Sequence, residues 1–174
     1  MDYDQQLAIA VGTTRKQKVW KNTTMLWSEL LNKLSNTTRT PETVEEYFKL
    51  PKSRQDEIKD VGGFVGGYLI KGSRTHVKYR QIVCLDIDYG SMSLWDSWEL
   101  LYGNASCIYS THKHTPSNPR LRLIIPLNRK VSPDEYEAIA RKIAQDLDIN
   151  AFDDTTYQAQ RLMYWPSSSI DGEY

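Results

Sequence analysis

The sequence predicts an α/β fold of the α+β type, in which a C-terminal unit at 71–174 follows the ferredoxin-like element order β-α-β-β-α-β. Two observations predict it. Short apolar runs of strand type alternate with two longer segments whose apolar residues recur at helical spacing. The length of 174 residues fits one domain, so we expect residues 1–70 to form an N-terminal α/β elaboration of that unit.

The N-terminal elaboration is expected to contain one strand and three helices. Residues 7–11 form an apolar run typical of a strand. The segment Asn22–Thr24 offers caps for a helix that ends at about Leu34. Thr40, which is followed by proline and glutamate, predicts the start of a second helix, and a third is expected over about 53–59.

A glycine-rich segment, Gly62–Gly67, ends the N-terminal part. It is reminiscent of a phosphate-binding loop, but it lacks the Gly-Lys-Ser/Thr ending and precedes a strand instead of a helix. We interpret it as a turn where backbones approach closely, with a ligand contact as the alternative.

The C-terminal unit carries the regular alternation of elements. The spacing predicts strands over 81–87, 106–109, 121–126 and 161–165, and helices over 94–101 and 133–147. Ser132 is expected to cap the second of these helices.

Strand alternation places chemistry on one face of the expected sheet. Cys84, Asp86 and Asp88 share one face of the first strand, while the alternate apolar residues pack on the helices. We expect the face with the carboxylates to be the open face. In this element order the first and third strands are central neighbours, so Arg120 and Arg122 should flank the two aspartates. The carboxylates suit a hard divalent cation, and the arginines suit phosphate oxygens.

Two further segments supply candidate site residues. The loop from Ser110 to Thr115 offers His112 as a phosphate contact, with a polar surface loop as the alternative. In 152–156, either Asp153 or Asp154 is a candidate third acid, although an Asp- and Thr-rich turn fits equally well. Arg161 opens the last predicted strand and is a candidate partner for an acid or a phosphate.

Positive charge must be local if nucleic acid is the partner, because the net charge is zero. One stretch without any acid runs from residue 71 to 80 and is our candidate for contact with a template backbone. Its basic residues are Lys71, Arg74, Lys78 and Arg80. A second basic stretch, 111–130, contains the two arginines named above.

Composition limits the remaining classes of protein. Cys84 and Cys107 lie in strand-like runs and are expected to be core thiols of a reducing compartment. No Cys-x-x-Cys pair predicts a zinc ribbon. No apolar run approaches the roughly 20 residues of a membrane span, so we expect a cytoplasmic protein without a membrane partner.

The order of these motifs resembles the archaeo-eukaryotic primase superfamily, and within it the primase-polymerase domains of phages and prophages that occur beside virulence-associated-E-type helicases. The resemblance covers nearly the whole chain. Its motifs are Lys59 to Gly67, Leu85-Asp86-Ile87-Asp88-Tyr89, Ser110 to Thr115, Pro119 to Leu127, Phe152 to Thr156 and Arg161 to Ser167.

The resemblance implies an RRM-like catalytic palm that transfers nucleotides on a single-stranded DNA template, using Mg²⁺ or Mn²⁺ and nucleoside triphosphates (NTP or dNTP). It implies metal ligands at Asp86, Asp88 and a third acid, for which Asp153 is preferred to Asp154, and a catalytic phosphate contact at His112. Relatives usually continue into an accessory or helicase region, which we do not expect in this chain, and a replicative helicase is the expected partner. The candidate nucleotide-binding residues are Ser110, His112, Lys113, Arg120, Arg122 and Arg161.

Two other functions stay open at this point. His112 and His114 suggest a single-strand nicking replication initiator, but that motif needs an apolar residue where Lys113 stands. The second is a catalytically silent module that binds single-stranded DNA or a helicase.

Overall fold

A computed structural model describes residues 4–91 and 93–174, and it shows a mixed α/β protein built on antiparallel sheets. The strands are β1 Gln6–Gly12, β2 Lys21–Leu26, β3 Thr38–Thr40, β4 Gly63–Val65, β5 Gly67–Leu69, β6 Val77–Ile87, β7 Cys107–Ser110, β8 Leu121–Val131, β9 Met163–Tyr164 and β10 Ser167–Ser169. The α-helices are α1 Trp27–Leu34, α2 Val44–Lys49, α3 Lys52–Ile58, α4 Ser93–Leu101 and α5 Pro133–Leu147.

The central sheet has the strand order β5-β6-β8-β7. The long strands β6 and β8 pair antiparallel in the middle, as expected for the first and third strands of the C-terminal unit. A second sheet, β2-β1-β4-β9, and a parallel pair, β3 with β10, are built by the N-terminal half together with the C-terminal end of the chain.

Both faces of the central sheet are covered. Val83, Leu85 and Ile87 pack under α4 and α5, as alternation predicted. The opposite face is not open along its length: Ile82 and Cys84 are buried against β1, α1 and β4. The prediction of an open face was wrong there, because the N-terminal elaboration folds over it. The end of this face that bears the two aspartates borders a cavity.

Several predicted boundaries in the N-terminal half were wrong. Asn22–Thr24 lies inside β2, so the first helix begins at Trp27. Its N-cap residue, Leu26, has no capping side chain, and the Glu29 carboxylate accepts from the Leu26 backbone N–H. Thr40 ends β3, and the following helix is capped by Thr43, whose hydroxyl accepts from the backbone N–H of Glu46. In both places, polar residues that resemble helix caps pair in strands instead. Local propensity does not distinguish a helix cap from such a strand position.

The C-terminal elements follow the predictions more closely. Helix α5 spans the predicted residues, and Ser132 caps it by accepting from the backbone of Glu135. The final strand differs, because β9 pairs with β4 in the second sheet and β5 takes the edge of the central sheet beside β6. Gly63 and Gly67 stand in strands at close backbone approaches, where a β-carbon would overlap a carbonyl oxygen of a neighbouring strand. Among the described residues, no helix has the length and apolarity needed to cross a membrane.

Candidate active site

A cavity of about 890 Å³ lies where the ends of β6 and β8 meet the N-terminal half. It gathers most of the predicted site residues from distant parts of the chain. Those that line it are Arg74, Asp86, Asp88, His112, Lys113, Arg120, Arg122, Asp153 and Arg161.

Asp86 and Arg122 form a buried ion pair at the floor of the cavity. They are cross-strand partners in the β6–β8 register, and Arg122 Nε donates to Asp86 Oδ1 at 2.5 Å. Arg122 Nη1 also donates to the hydroxyl of Tyr109 and to the carbonyl of Tyr164. Burial by itself lowers the pKa of Arg122, but the charge of Asp86 outweighs it and leaves the pKa above its ordinary value. Arg122 is therefore a fixed cation.

Asp88 and Arg120 form a second and more open pair beside the first. Arg120 Nη1 lies 3.0 Å from Asp88 Oδ2. The Asp88 side chain is 39% exposed, whereas that of Asp86 is 12% exposed. The two residues flank the regular strands, since β6 ends at Ile87 and β8 begins at Leu121. Asp88 is thus the carboxylate with the easier access to a ligand from solution.

Asp153 is the third acid of the cavity, and its backbone ties it to the first. Its N–H donates to the carbonyl of Asp86 at 2.9 Å. Its carboxylate accepts from the backbone and hydroxyl of Thr155 and lies 3.3 Å from Arg161 Nη2. Asp154 is exposed and does not line the cavity. The structure therefore brings Asp153 to the site and leaves Asp154 outside.

Each of the three carboxylates faces an arginine. Among residues 4–91 and 93–174, no group of three or more acidic, histidine or cysteine side chains is close enough to hold a metal ion. Asp86 in β6 and Asp88 just after its end nevertheless offer oxygen donors of the kind that Mg²⁺ and Mn²⁺ prefer. Asp86 and Asp88 would hold a divalent cation only if their ion pairs with Arg122 and Arg120 rearrange, and Asp153 would join them only if its bonds to Thr155 and Arg161 rearrange.

His112 lines the cavity but is held by the protein at both ring nitrogens. Its Nε2 lies 3.1 Å from Glu42 Oε1, and its Nδ1 lies 2.9 Å from the hydroxyl of Ser167. Since a carboxylate only accepts, Nε2 carries the proton and the neutral ring accepts from Ser167 at Nδ1. A phosphate contact at His112 therefore requires one of these bonds to be exchanged.

Replacing Glu42 by Gln is expected to lower the pKa of His112 further. Burial lowers this pKa, and the hydrogen bond and charge of Glu42 oppose the effect. Removing the charge leaves burial unopposed, so the imidazole stays neutral to lower pH. A proton–nitrogen NMR titration of the ring measures the shift, with Glu45→Gln as a control on the exposed face of α2. A pKa that rises or stays constant contradicts the assigned role of Glu42.

Other predicted residues lie away from the cavity. Ser110 does not line it, and its hydroxyl donates to the carbonyl of Glu173. His114 does not line it either, and its Nδ1 accepts from the backbone N–H of Arg120. The two histidines are therefore engaged separately, and nothing in their geometry favours the nicking initiator.

The predicted template stretch divides into different environments. Lys71 and Lys78 are exposed outside the cavity, and only Arg74 lines it. Arg80 is completely buried and donates to the carbonyls of Gly66, Ile82 and Ala159. The assignment of Arg80 to nucleic-acid binding was wrong, because its guanidinium is a structural donor inside the core.

Sequence reasoning missed the basic side chains that the N-terminal half brings to the cavity. They are Arg15, Lys16, Lys52 and Lys59. Lys52 and Lys59 stand among acidic residues, so no run of charge marks them, whereas Arg15 and Lys16 lie in an acid-free basic run that the sequence reasoning did not use. The described lining of the cavity therefore carries more basic than acidic side chains.

A comparison with models of protein families shows the family to which the chain belongs. The model of the VapE N-terminal domain matches residues 1–174. The chain belongs to the VapE N-terminal domain family. This agrees with the virulence-associated-E relationship, and with the phage or prophage setting, that the sequence resemblance implied. No curated protein and no solved structure matches the chain.

Proposed function

We propose that this VapE N-terminal domain is the catalytic core of a primase or primase-polymerase that acts in the replication of a phage or mobile element. One observation carries the proposal: Asp86 and Asp88, at the end of the central strand β6, share a cavity with a large excess of arginine and lysine side chains. Paired carboxylates beside phosphate-binding cations are what metal-dependent nucleotidyl transfer requires.

The architecture around the carboxylates supports an RRM-like palm. Strands β6, β8 and β7 are adjacent in the order expected for the first three strands of that unit, with α4 and α5 on one face. The fourth position is filled by β5, from the N-terminal side of the sequence. This exchange leaves the carboxylate end of β6 unaffected, since β5 pairs near residues 77–80.

The proposed residue roles follow from position. Asp86 and Asp88 would hold the divalent cation, with Asp153 as the third ligand, and the bound metal supplies charge neutralisation at the phosphates. Arg120, released from Asp88, is placed to receive phosphate oxygens. Arg161 is a second candidate for binding phosphate oxygens. Its Nε is buried without a hydrogen-bond partner, while the side chain lines the cavity.

In the proposed reaction, the 3′-hydroxyl of a primer or first nucleotide attacks the α-phosphorus of a nucleoside triphosphate. The new phosphodiester bond forms, the bond to the β-phosphate breaks, pyrophosphate leaves, and the proton of the attacking hydroxyl passes to solvent water. Single-stranded DNA is the proposed template, a replicative helicase the proposed partner, and the host cytoplasm the proposed compartment. His112 lies on the cavity wall, where it would orient the triphosphate.

The full chain is expected to extend a labelled primer on a DNA template when Mn²⁺ or Mg²⁺ and nucleotides are present, and chelation with EDTA should abolish the extension. Calorimetric titration of a nucleoside triphosphate should show binding that depends on the cation. DNA binding without extension and without cation-dependent nucleotide binding would overturn the proposal in favour of the silent binding module.

A further inference from the structure

Five basic side chains form a second cluster in the cavity, which we call the basic wall. They come from four separate segments: the β1–β2 loop, helix α3 with its C-terminal cap, the turn before β6, and the loop after β7. The basic wall consists of Arg15, Lys52, Lys59, Arg74 and Lys113. These residues are distinct from the arginines that face the three carboxylates.

The basic wall is short of compensating negative charge. Asp56 is shared, at 3.1 Å from Arg15 Nη1 and 2.8 Å from Lys59 Nζ. Within the described ranges, Lys52, Arg74 and Lys113 make no ion pair, although they line the cavity. The Asp60 carboxylate accepts from the backbone N–H of Arg15 and from the hydroxyl of Thr14, so it anchors the β1–β2 loop. The remaining cavity acids already face Arg120, Arg122 and Arg161.

Lys113 shows the consequence of this imbalance. Burial lowers its pKa, and the like charges of Lys59, Arg120 and Lys52 lower it further, against the opposing charge of Asp56. All members of the wall except the exposed Lys52 are partly buried. Partly buried cations that repel one another are stabilised when an anion enters between them. The geometry of the wall therefore favours a ligand with several negative charges.

We infer that the basic wall binds the phosphodiester backbone of single-stranded DNA and so sets the path of the strand into the cavity. This inference rests on the proposed function, in which the arginines beside the carboxylates bind the triphosphate. Cations spread over four segments match a chain of phosphates better than a single phosphate group. The inference moves the DNA path away from Lys71 and Lys78, which lie outside the cavity.

The test compares two double variants with the same change in charge. Lys52→Gln with Lys113→Gln removes the two lysines of the wall that have no ion pair, so no carboxylate loses a partner. Lys71→Gln with Lys78→Gln is the matched control on the exposed surface. Fluorescence anisotropy with a labelled oligothymidylate, without metal or nucleotide, measures the dissociation constant over a range of salt concentrations.

The wall variant is expected to bind DNA about tenfold more weakly, and its salt dependence should lose about 0.7 in logarithmic slope per phosphate contact removed. The control should bind within about twofold of the wild type. The inference is overturned if the control loses as much affinity as the wall variant, or if the wall variant keeps the DNA affinity of the wild type. Wall-dependent DNA binding by a chain that fails to extend primers would refute the proposed function alone.

Discussion

Replacing Asp88 by Asn should reduce primer extension by about 1,000-fold, because loss of a metal ligand removes several kcal/mol of charge stabilisation in the transition state. The amide keeps the size of the side chain and loses its charge. Asp88 is the more exposed carboxylate, and its partner Arg120 also borders the cavity, so folding should be little affected. We expect the free energy of unfolding to change by less than about 0.5 kcal/mol. Single-turnover extension assays and urea denaturation measure the two effects separately.

The variant Asp86→Asn is expected to behave differently, because Asp86 forms a buried pair with Arg122. Removing its charge leaves a buried cation without its acid, which costs about 3 kcal/mol of stability in addition to the loss of extension. Asp96→Asn, on the exposed side of α4 and outside the cavity, is the matched control and should retain full activity. Extension that survives at wild-type rate in Asp88→Asn would refute the metal assignment.

The face on which these carboxylates lie could be predicted from sequence because strand alternation is a local property. Asp86 and Arg122 each alternate with the apolar residues of their strands, so each points away from the face that packs on the helices. When β6 and β8 pair, the two side chains therefore lie on the same face of the sheet. The pairing of the two strands followed from the element order of the C-terminal unit. This part of the site required only short-range pattern and a common topology.

What covers the sheet could not be predicted in the same way. Lys78 and Arg80 are two residues apart in β6, so strand alternation predicts the same environment for both. No local feature of the sequence distinguishes them. Lys78 is exposed, whereas Arg80 is buried because Gly66 and the segment around Ala159 close over it. The basic wall was missed for the same reason, since contacts between segments far apart in the chain place its residues together.

Replacing Arg80 by Met is expected to lower the free energy of unfolding by about 3 kcal/mol, although the new side chain is apolar and similar in length. The guanidinium is 0% exposed and lies 4.0 Å from the ring centroid of Tyr136. Its donors reach Ala159 O at 2.6 Å and Ile82 O at 2.9 Å, and these acceptors would lose a charged donor inside the core. Urea denaturation followed by circular dichroism measures the change.

Lys78→Met is the natural control, because it makes the same kind of change two residues away in β6. Its side chain is exposed, so we expect a change of less than about 0.5 kcal/mol. Arg80→Lys should recover only part of the stability, since an ammonium group lacks the planar fork that reaches several carbonyls together. If Arg80→Met kept the stability of the wild type and instead weakened DNA binding, the guanidinium would act on nucleic acid, contrary to its position in the core.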